Sequence, residues 1–108
     1  MSKNSRNKGA RGERELAHFL NDHGYPSRRG QQFSGGADSP DVISTEFPFH
    51  IECKRVERLD LYGAMTQAIG DAKGSGKPPC VAHRRNNSEW LFTCKLEDLF
   101  EILEGMEK

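Results

Sequence analysis

Residues 40–54 read PDVISTEFPFHIECK and carry the clearest strand pattern in the chain. Apolar and polar side chains alternate along residues 49–54, which places the apolar ones on one face of a predicted strand. The run at 41–44 predicts a second strand, and residues 45–46 lie where a turn would join the two. We therefore expect an antiparallel hairpin here, and the other elements are placed relative to it.

Periodic apolar residues on either side of the hairpin predict three helices, over 10–23, 60–73 and 96–104, and a glycine follows each of the first two. Two further apolar runs, 80–83 and 90–93, predict strands joined by a polar turn. The resulting order of elements is α-β-β-α-β-β-α. This order predicts an α/β fold in which a mixed central sheet is flanked by helices.

Length and composition describe one small domain, since 108 residues at 34% hydrophobic can form only a modest core. Residues 1–8 have no apolar residue after Met1 and predict a flexible basic arm, which leaves 9–108 as the domain. Residues 28–40, rich in Gly and Ser, predict a long loop. The three cysteines form no CxxC pair, which argues against a disulfide framework and a structural zinc.

No apolar run is long enough to cross a membrane, and the N-terminus has no hydrophobic signal segment. We therefore expect a cytoplasmic protein without a membrane partner. The charges are balanced at 16 basic and 16 acidic, but residues 1–37 carry seven basic and three acidic side chains, a net of +4. Such a basic end suggests contact with a polyanion, although a solvated tail has the same composition.

Three charged residues share a small patch if the hairpin forms. Glu52 and Lys54 lie on the same face of their strand, and Asp41 begins the strand beside it. Two neighbouring carboxylates suit a hard cation such as Mg²⁺, and a metal-bound water becomes a nucleophile near neutral pH. Lys54 would orient that water or stabilise the developing anion, which is the chemistry of phosphodiester hydrolysis. A Glu/Lys pair on an exposed sheet face is the alternative.

Glu13 conflicts with the pattern of the first helix. It precedes Leu16, Ala17 and Leu20 by three, four and seven residues, so it lies on the face that packs inward. A buried carboxylate is costly unless it is paired or binds a metal. The residue is therefore a metal ligand, an acid that favours the helix N-terminus, or one half of an ion pair with an arginine.

These residues resemble a known family. Residues 40–41 (PD), ten intervening residues, and 52–54 (ECK) resemble the PD-(D/E)xK signature of the restriction-endonuclease-like nuclease superfamily. The stretch KGARGERELAHFL, residues 8–20, is similar to the first helix of the archaeal-type Holliday-junction resolvases. The resemblance covers about residues 8–56. It implies a restriction-endonuclease-like core within a single nuclease domain.

The resemblance also implies a role for each matching residue. Asp41 and Glu52 would be the central metal ligands together with the backbone carbonyl of Cys53, and Glu13 would help to bind the metal from the first helix. Lys54 would be the catalytic lysine. The second helix would contribute one further polar side chain to catalysis, and DNA would be bound by several residues of the first half of the chain. The side chain of the second helix is Gln67. The residues implied to bind DNA are Lys8, Arg11, Arg14, Arg28, Arg29 and Ser34.

The implied activity is that of a metal-dependent endodeoxyribonuclease that hydrolyses branched DNA in recombination or repair, similar to a Holliday-junction resolvase. The implied cofactor is Mg²⁺, with Mn²⁺ able to substitute. Symmetric cleavage of a four-way junction requires two sites, so we expect a homodimer. The alternatives are a less structure-selective nicking or replication-repair nuclease, and a catalytically inactive DNA-binding module.

Overall fold

The computed structural model describes residues 3–30 and 40–106, with side chains from residue 9 onward. Three helices and five strands follow one another in the predicted α/β arrangement, with one short strand more than predicted. In chain order they are α1 (Lys3–Asp22), β1 (Arg28–Arg29), β2 (Val42–Ile43), β3 (His50–Arg55), α2 (Leu61–Ala72), β4 (Pro79–Arg84), β5 (Leu91–Cys94) and α3 (Leu96–Met106).

The five strands form one mixed sheet in the order β1-β2-β3-β4-β5. The hairpin predicted from residues 40–54 is confirmed, because Val42 pairs with Ile51 in antiparallel register. β3 and β4 run parallel, whereas β4 and β5 are antiparallel. Parallel neighbours need a crossover connection, which α2 provides. β3 is therefore the central strand of the sheet.

The helices α1 and α2 pack on opposite faces of this sheet. Leu16 of α1 belongs to the larger core cluster together with Ile51 of β3. Ala64 and Ala68 of α2 pack on Val81 of β4, and their small side chains let the helix lie close to the strands. Both faces of β3 are consequently covered. The polar residues His50 and Glu52 on this strand are therefore buried, which the alternating pattern alone did not show.

Two segments differ from the sequence prediction. The backbone of residues 3–8, predicted as a flexible arm, is helical, because α1 begins at Lys3. This segment has no proline, and polar residues extend an existing helix at little cost. Residues 28–29, predicted as the start of a loop, form β1 because they pair with Ile43 and Val42. The rest of that loop, residues 31–39, lies outside the described residues.

Gly30 brings the chain close to itself after β1. Its N–H donates a hydrogen bond to the Asp41 carbonyl oxygen over 2.8 Å. A Cβ at position 30 would overlap the carbonyl oxygen of Pro40, so only glycine permits this approach. The contact fixes the start of β2, and with it the position of Asp41.

Lys77, in the connection that follows α2, is linked to the hairpin turn by hydrogen bonds. Its ammonium donates to the carbonyl oxygens of Ser44 over 3.0 Å, Thr45 over 3.2 Å and Phe47 over 2.9 Å. We expect Lys77→Met to lower the free energy of unfolding by about 2 kcal/mol, because three carbonyls lose a charged donor. Urea denaturation measures this change.

The matched control is Lys73→Met, which removes the same charge from an exposed position at the end of α2. We expect this control to stay within about 0.5 kcal/mol of the wild type. Equal effects of the two substitutions would show that the carbonyl contacts of Lys77 contribute nothing specific.

Candidate active site

Two carboxylates meet where β2 lies beside β3. Asp41 directly precedes β2, and its side chain is hydrogen-bonded to that of Glu52 on β3. The Asp41 Oδ2 atom also accepts a hydrogen bond from the backbone N–H of Cys53 over 2.9 Å. Both side chains are buried, with Glu52 only 3% exposed. The hairpin thus assembles the carboxylate pair that the sequence predicts, and packing removes it from water.

Burial dominates the electrostatics of Glu52. Together with the charges of Asp41 and Asp71, and against the opposing charge of Lys54, it raises the pKa of this carboxyl to about 8. Among the described residues, the Glu52 Oε1 atom is buried and has no hydrogen-bond partner. A buried oxygen of this kind next to a second carboxylate fits a hard divalent cation, which takes oxygen ligands and favours the ionised carboxylate.

Lys54 lies beside this pair, on the same face of β3. Its Nζ atom is 4.0 Å from the Glu52 Oε2 atom and donates to the Gln67 Oε1 atom of α2 over 3.2 Å. The lysine side chain is 28% exposed, so its ammonium reaches the solvent side of the site. The structure therefore brings together Asp41, Glu52, Lys54 and Gln67. The alternative of an exposed Glu/Lys pair is wrong, because α2 covers this face of the sheet.

Glu13 approaches the carboxylate pair from α1 but is bonded to Arg29. The Arg29 Nε atom donates to the Glu13 Oε1 atom over 2.6 Å. Burial raises the pKa of Glu13; its hydrogen bond to Arg29 lowers it, and the charge of Asp41 raises it. No three His, Cys, Asp or Glu side chains within the described residues are grouped so that they could hold a metal ion. The implied ligand set is thus only partly assembled.

Comparisons with known proteins identify the family of the chain. A family model described as "Phage putative PDDEXK endonuclease" matches residues 4–108. The chain belongs to this PDDEXK endonuclease family. Among solved structures, Hjc of Archaeoglobus fulgidus, a Holliday junction resolvase from an archaeal hyperthermophile, is similar with a TM-score of 0.61 and 26% sequence identity. The alignment covers 81% of this chain and 72% of that chain.

No curated protein matches the chain. The family match and the structural similarity confirm the predicted restriction-endonuclease-like fold and the PD-(D/E)xK resemblance. Within the described residues, no helix of this PDDEXK endonuclease is long and apolar enough to span a membrane.

The cationic residues implied to bind DNA lie on α1 and β1. Arg11 and Arg14 are exposed on α1, and Arg28 and Arg29 are exposed on β1. The charge of Arg14 also lowers the pKa of the neighbouring Glu13. The remaining two residues in this prediction fall outside what the structure describes: Ser34, and the side chain of Lys8.

Cys53 contributes to the site of the PDDEXK endonuclease only through its backbone. Burial raises the pKa of its thiol, and the charges of Asp41, Glu13 and Glu52 raise it further. A thiol in such surroundings stays protonated and is a poor metal ligand. The backbone carbonyl remains the group that the family resemblance implies as a ligand.

An ion cluster that the sequence analysis missed anchors α1 next to the site. The Glu15 Oε1 atom accepts from Arg55 Nε of β3 over 2.9 Å and from Arg84 Nη2 of β4 over 3.2 Å. These partners are far apart along the chain, so no local pattern indicates them. Gly12 allows the close approach, since a Cβ there would lie 2.8 Å from the Arg55 Cβ. The cluster ties the part of α1 that carries Glu13 to β3 and β4.

Asp71 is a second residue that the sequence analysis missed. It lies four residues after Gln67 on α2, and its charge raises the pKa of Glu52. The spacing of four residues puts both side chains on one face of the helix. This spacing, read from the predicted helix, would have indicated that Asp71 accompanies Gln67 toward the site.

Proposed function

We propose that this PDDEXK endonuclease is a cytoplasmic, metal-dependent endodeoxyribonuclease that cleaves four-way or otherwise branched DNA, with Mg²⁺ as the cofactor and Mn²⁺ able to substitute. One observation carries the proposal: the buried Asp41–Glu52 pair lies beside the Lys54 ammonium, and one Glu52 oxygen has no partner among the described residues. The similarity to the Archaeoglobus resolvase supports branched DNA as the substrate.

Each residue of the site has a part in this activity. Asp41, Glu52 and the Cys53 carbonyl would hold the cation, which supplies a water of lowered pKa and neutralises phosphate charge when bound. A cation held there would favour the ionised form of Glu52, because a nearby positive charge favours the carboxylate. Gln67 holds the Lys54 ammonium in place by accepting one of its hydrogens. The remaining two N–H groups of Lys54 can stabilise the negative charge that develops on the phosphate.

DNA would be held through its phosphates rather than its bases. Arg11, Arg14 and Arg28 present exposed guanidinium groups on the α1 and β1 side of the site. Phosphate contacts of this kind carry little sequence information and weaken steeply as the salt concentration rises. This arrangement fits a substrate that is recognised by its branched shape.

A cleavage assay tests the proposal. Wild type and Asp41→Asn are incubated with a labelled four-way junction and with a linear duplex of matching sequence, each with Mg²⁺ and with excess EDTA. We expect wild type to cleave the junction preferentially and only with Mg²⁺, and we expect Asp41→Asn to be at least about a hundredfold slower, because a metal ligand is lost.

The alternatives give different results in the same assay. Equal cleavage of junction and duplex would identify a less structure-selective nicking or replication-repair nuclease. Tight binding without any cleavage would identify a catalytically inactive DNA-binding module. Cleavage that persists in EDTA would overturn the metal-dependent mechanism.

We also propose that the endonuclease acts as a homodimer, because cutting two strands symmetrically requires two sites. The surface we assign to the partner copy is the β5–α3 surface, defined by Leu91, Phe92, Leu96, Phe100 and Leu103. β5 is the last strand of the described sheet, and residues 91–94 contain neither a charge nor a proline to block pairing. Two copies of such an edge can pair antiparallel about a two-fold axis.

The size of the β5–α3 surface suits a second copy. Its five side chains are 46% to 64% exposed. At roughly 200 Å² for a fully exposed large side chain, they present about 500 Å² of apolar surface. A standard interface buries about 800 Å² per partner, of which roughly 450 Å² is apolar. Of the acidic side chains of α3, Glu97 and Glu104 lie three and four residues from Phe100 and border the apolar face, whereas Glu101 lies further round the helix.

A further inference from the structure

We propose that Arg29 couples DNA binding to metal binding by competing with the metal for Glu13. Without DNA, the guanidinium holds Glu13 away from the Asp41–Glu52 pair. A DNA phosphate that takes the guanidinium frees Glu13 to become a metal ligand. This inference rests on the proposed function, and it adds the order of binding: DNA binds first, and its binding completes the metal site.

The first observation is the ion pair itself. Arg29 Nε and Glu13 Oε1 are 2.6 Å apart, and the glutamate side chain is only 17% exposed. A short, charge-assisted hydrogen bond that is partly shielded from water is stronger than an exposed surface pair. A metal ion that recruits Glu13 therefore competes with Arg29 for this carboxylate.

The second observation is that Glu13 lies beside the carboxylate pair without joining it. The charge of Asp41 acts on Glu13, so the two carboxylates are neighbours. Yet, in the part of the chain that the structure describes, no three potential ligands are grouped to hold a metal ion. Arg29 supplies to Glu13 the positive charge that a bound cation would otherwise supply.

The third observation is the accessibility of Arg29. Its side chain is 48% exposed, so part of the guanidinium faces solvent while Nε holds Glu13. A guanidinium carries five N–H donors in a planar fork that matches a phosphate group. Arg28, the preceding residue on β1, is also exposed and adds positive charge to the same strand. A DNA backbone can therefore reach Arg29 and offer it a second anionic partner.

The two equilibria are then linked. If DNA draws Arg29 from Glu13, DNA tightens metal binding, and by reciprocity the metal tightens DNA binding by the same factor. The device keeps the metal site incomplete while the enzyme is free. It thereby restricts hydrolysis to moments when a phosphate backbone lies against β1.

Calorimetric titration of Mn²⁺ into the full chain without DNA tests the competition. We expect Arg29→Gln to bind Mn²⁺ about tenfold more tightly than wild type, because Glu13 is released. The matched control is Arg28→Gln, which removes the same charge from the neighbouring residue and should bind Mn²⁺ much less tightly than Arg29→Gln does. The gain should vanish in the double variant Arg29→Gln with Glu13→Gln, and circular dichroism confirms that each variant is folded.

A second titration adds DNA in a Lys54→Ala background, which prevents cleavage. A four-way junction should tighten Mn²⁺ binding in this background, and Arg29→Gln should remove most of that effect. Mn²⁺ binding by Arg29→Gln that is no tighter than that of Arg28→Gln would overturn the competition. If Arg29→Gln fails to fold, loss of the junction effect in Glu13→Gln supports the inference and its persistence overturns it. Absence of Mn²⁺ binding in wild type, with and without DNA, would instead contradict the proposed metal-dependent function.

Discussion

Glu52→Gln is expected to reduce Mg²⁺-dependent cleavage by about a thousandfold or more, while the metal-free protein stays folded. The loss follows because an amide is a weaker metal ligand than a carboxylate and brings no negative charge to the cation. The fold is retained because glutamine has the shape of the protonated glutamic acid, and the pKa of Glu52 is raised to about 8. A rate assay on a four-way junction and a circular dichroism spectrum measure the two effects.

The same substitution changes how stability depends on pH. Glu52 has its ordinary pKa of about 4.5 in the unfolded chain and about 8 in the fold. The folded state therefore holds an extra proton between these values, and the free energy of unfolding falls as the pH rises from about 4.5 to about 8. Glu52→Gln removes this penalty. In EDTA, its stability relative to wild type should increase between about pH 5 and pH 9, by an amount on the order of a few kcal/mol.

The control for this experiment is Glu101→Gln, which alters an exposed acid on α3. Its stability relative to wild type should stay nearly constant over the same pH range. A constant difference for Glu52→Gln as well would mean that burial does not disfavour the Glu52 carboxylate. Cleavage retained by Glu52→Gln would show that Glu52 is not a catalytic residue.

Phe100→Glu is expected to separate the proposed homodimer into monomers. Phe100 is 54% exposed in the middle of the β5–α3 surface, with Leu96 and Leu103 about one helical turn away on either side. In the dimer, a glutamate there would be buried without a partner, which is costly at the centre of an interface. We expect the dissociation constant to rise by at least about a hundredfold, measured by sedimentation equilibrium.

A charge placed elsewhere should not have this effect. Val56→Glu introduces the same side chain at a residue that is 38% exposed and lies after β3, outside the β5–α3 surface. This control should remain dimeric. On a four-way junction, Phe100→Glu should make single nicks more often than paired cuts, because the two active sites of the dimer no longer bind the junction at the same time. A dimer that survives Phe100→Glu but not Val56→Glu would place the interface elsewhere.

The sequence predicts the centre of the site because local rules govern it. A period of two places Glu52 and Lys54 on one face, and antiparallel pairing of neighbouring strands brings Asp41 beside them. The burial of this face depends on a parallel pairing between β3 and β4, which is not local. The alternating pattern alone could not reveal that α2 covers Glu52 and shifts its pKa.

The ion-pair partner of Glu13 could not be predicted from the local sequence pattern either. The sequence left three possibilities open for this carboxylate, and the structure shows the ion pair with an arginine. The pair exists because residues 28–29 form β1 on the side of α1, whereas their composition predicts a loop. The early start of α1 was missed for a similar reason. Its first residues are polar and show no apolar periodicity, so the sequence does not indicate that the helix extends beyond the part that packs on the sheet.

The backbone contact at Gly30 has a consequence for how this endonuclease can vary. Because Gly30 meets Pro40 and Asp41 directly, the chain leaves the sheet and returns to it at a single point. The number of residues between 30 and 40 is therefore not fixed by any distance they must span, and doubling a loop costs only about 0.6 kcal/mol of closure entropy. The length of this segment can therefore change while the carboxylates stay in register. The length of this segment and the geometry of the carboxylate pair can thus evolve as separate traits.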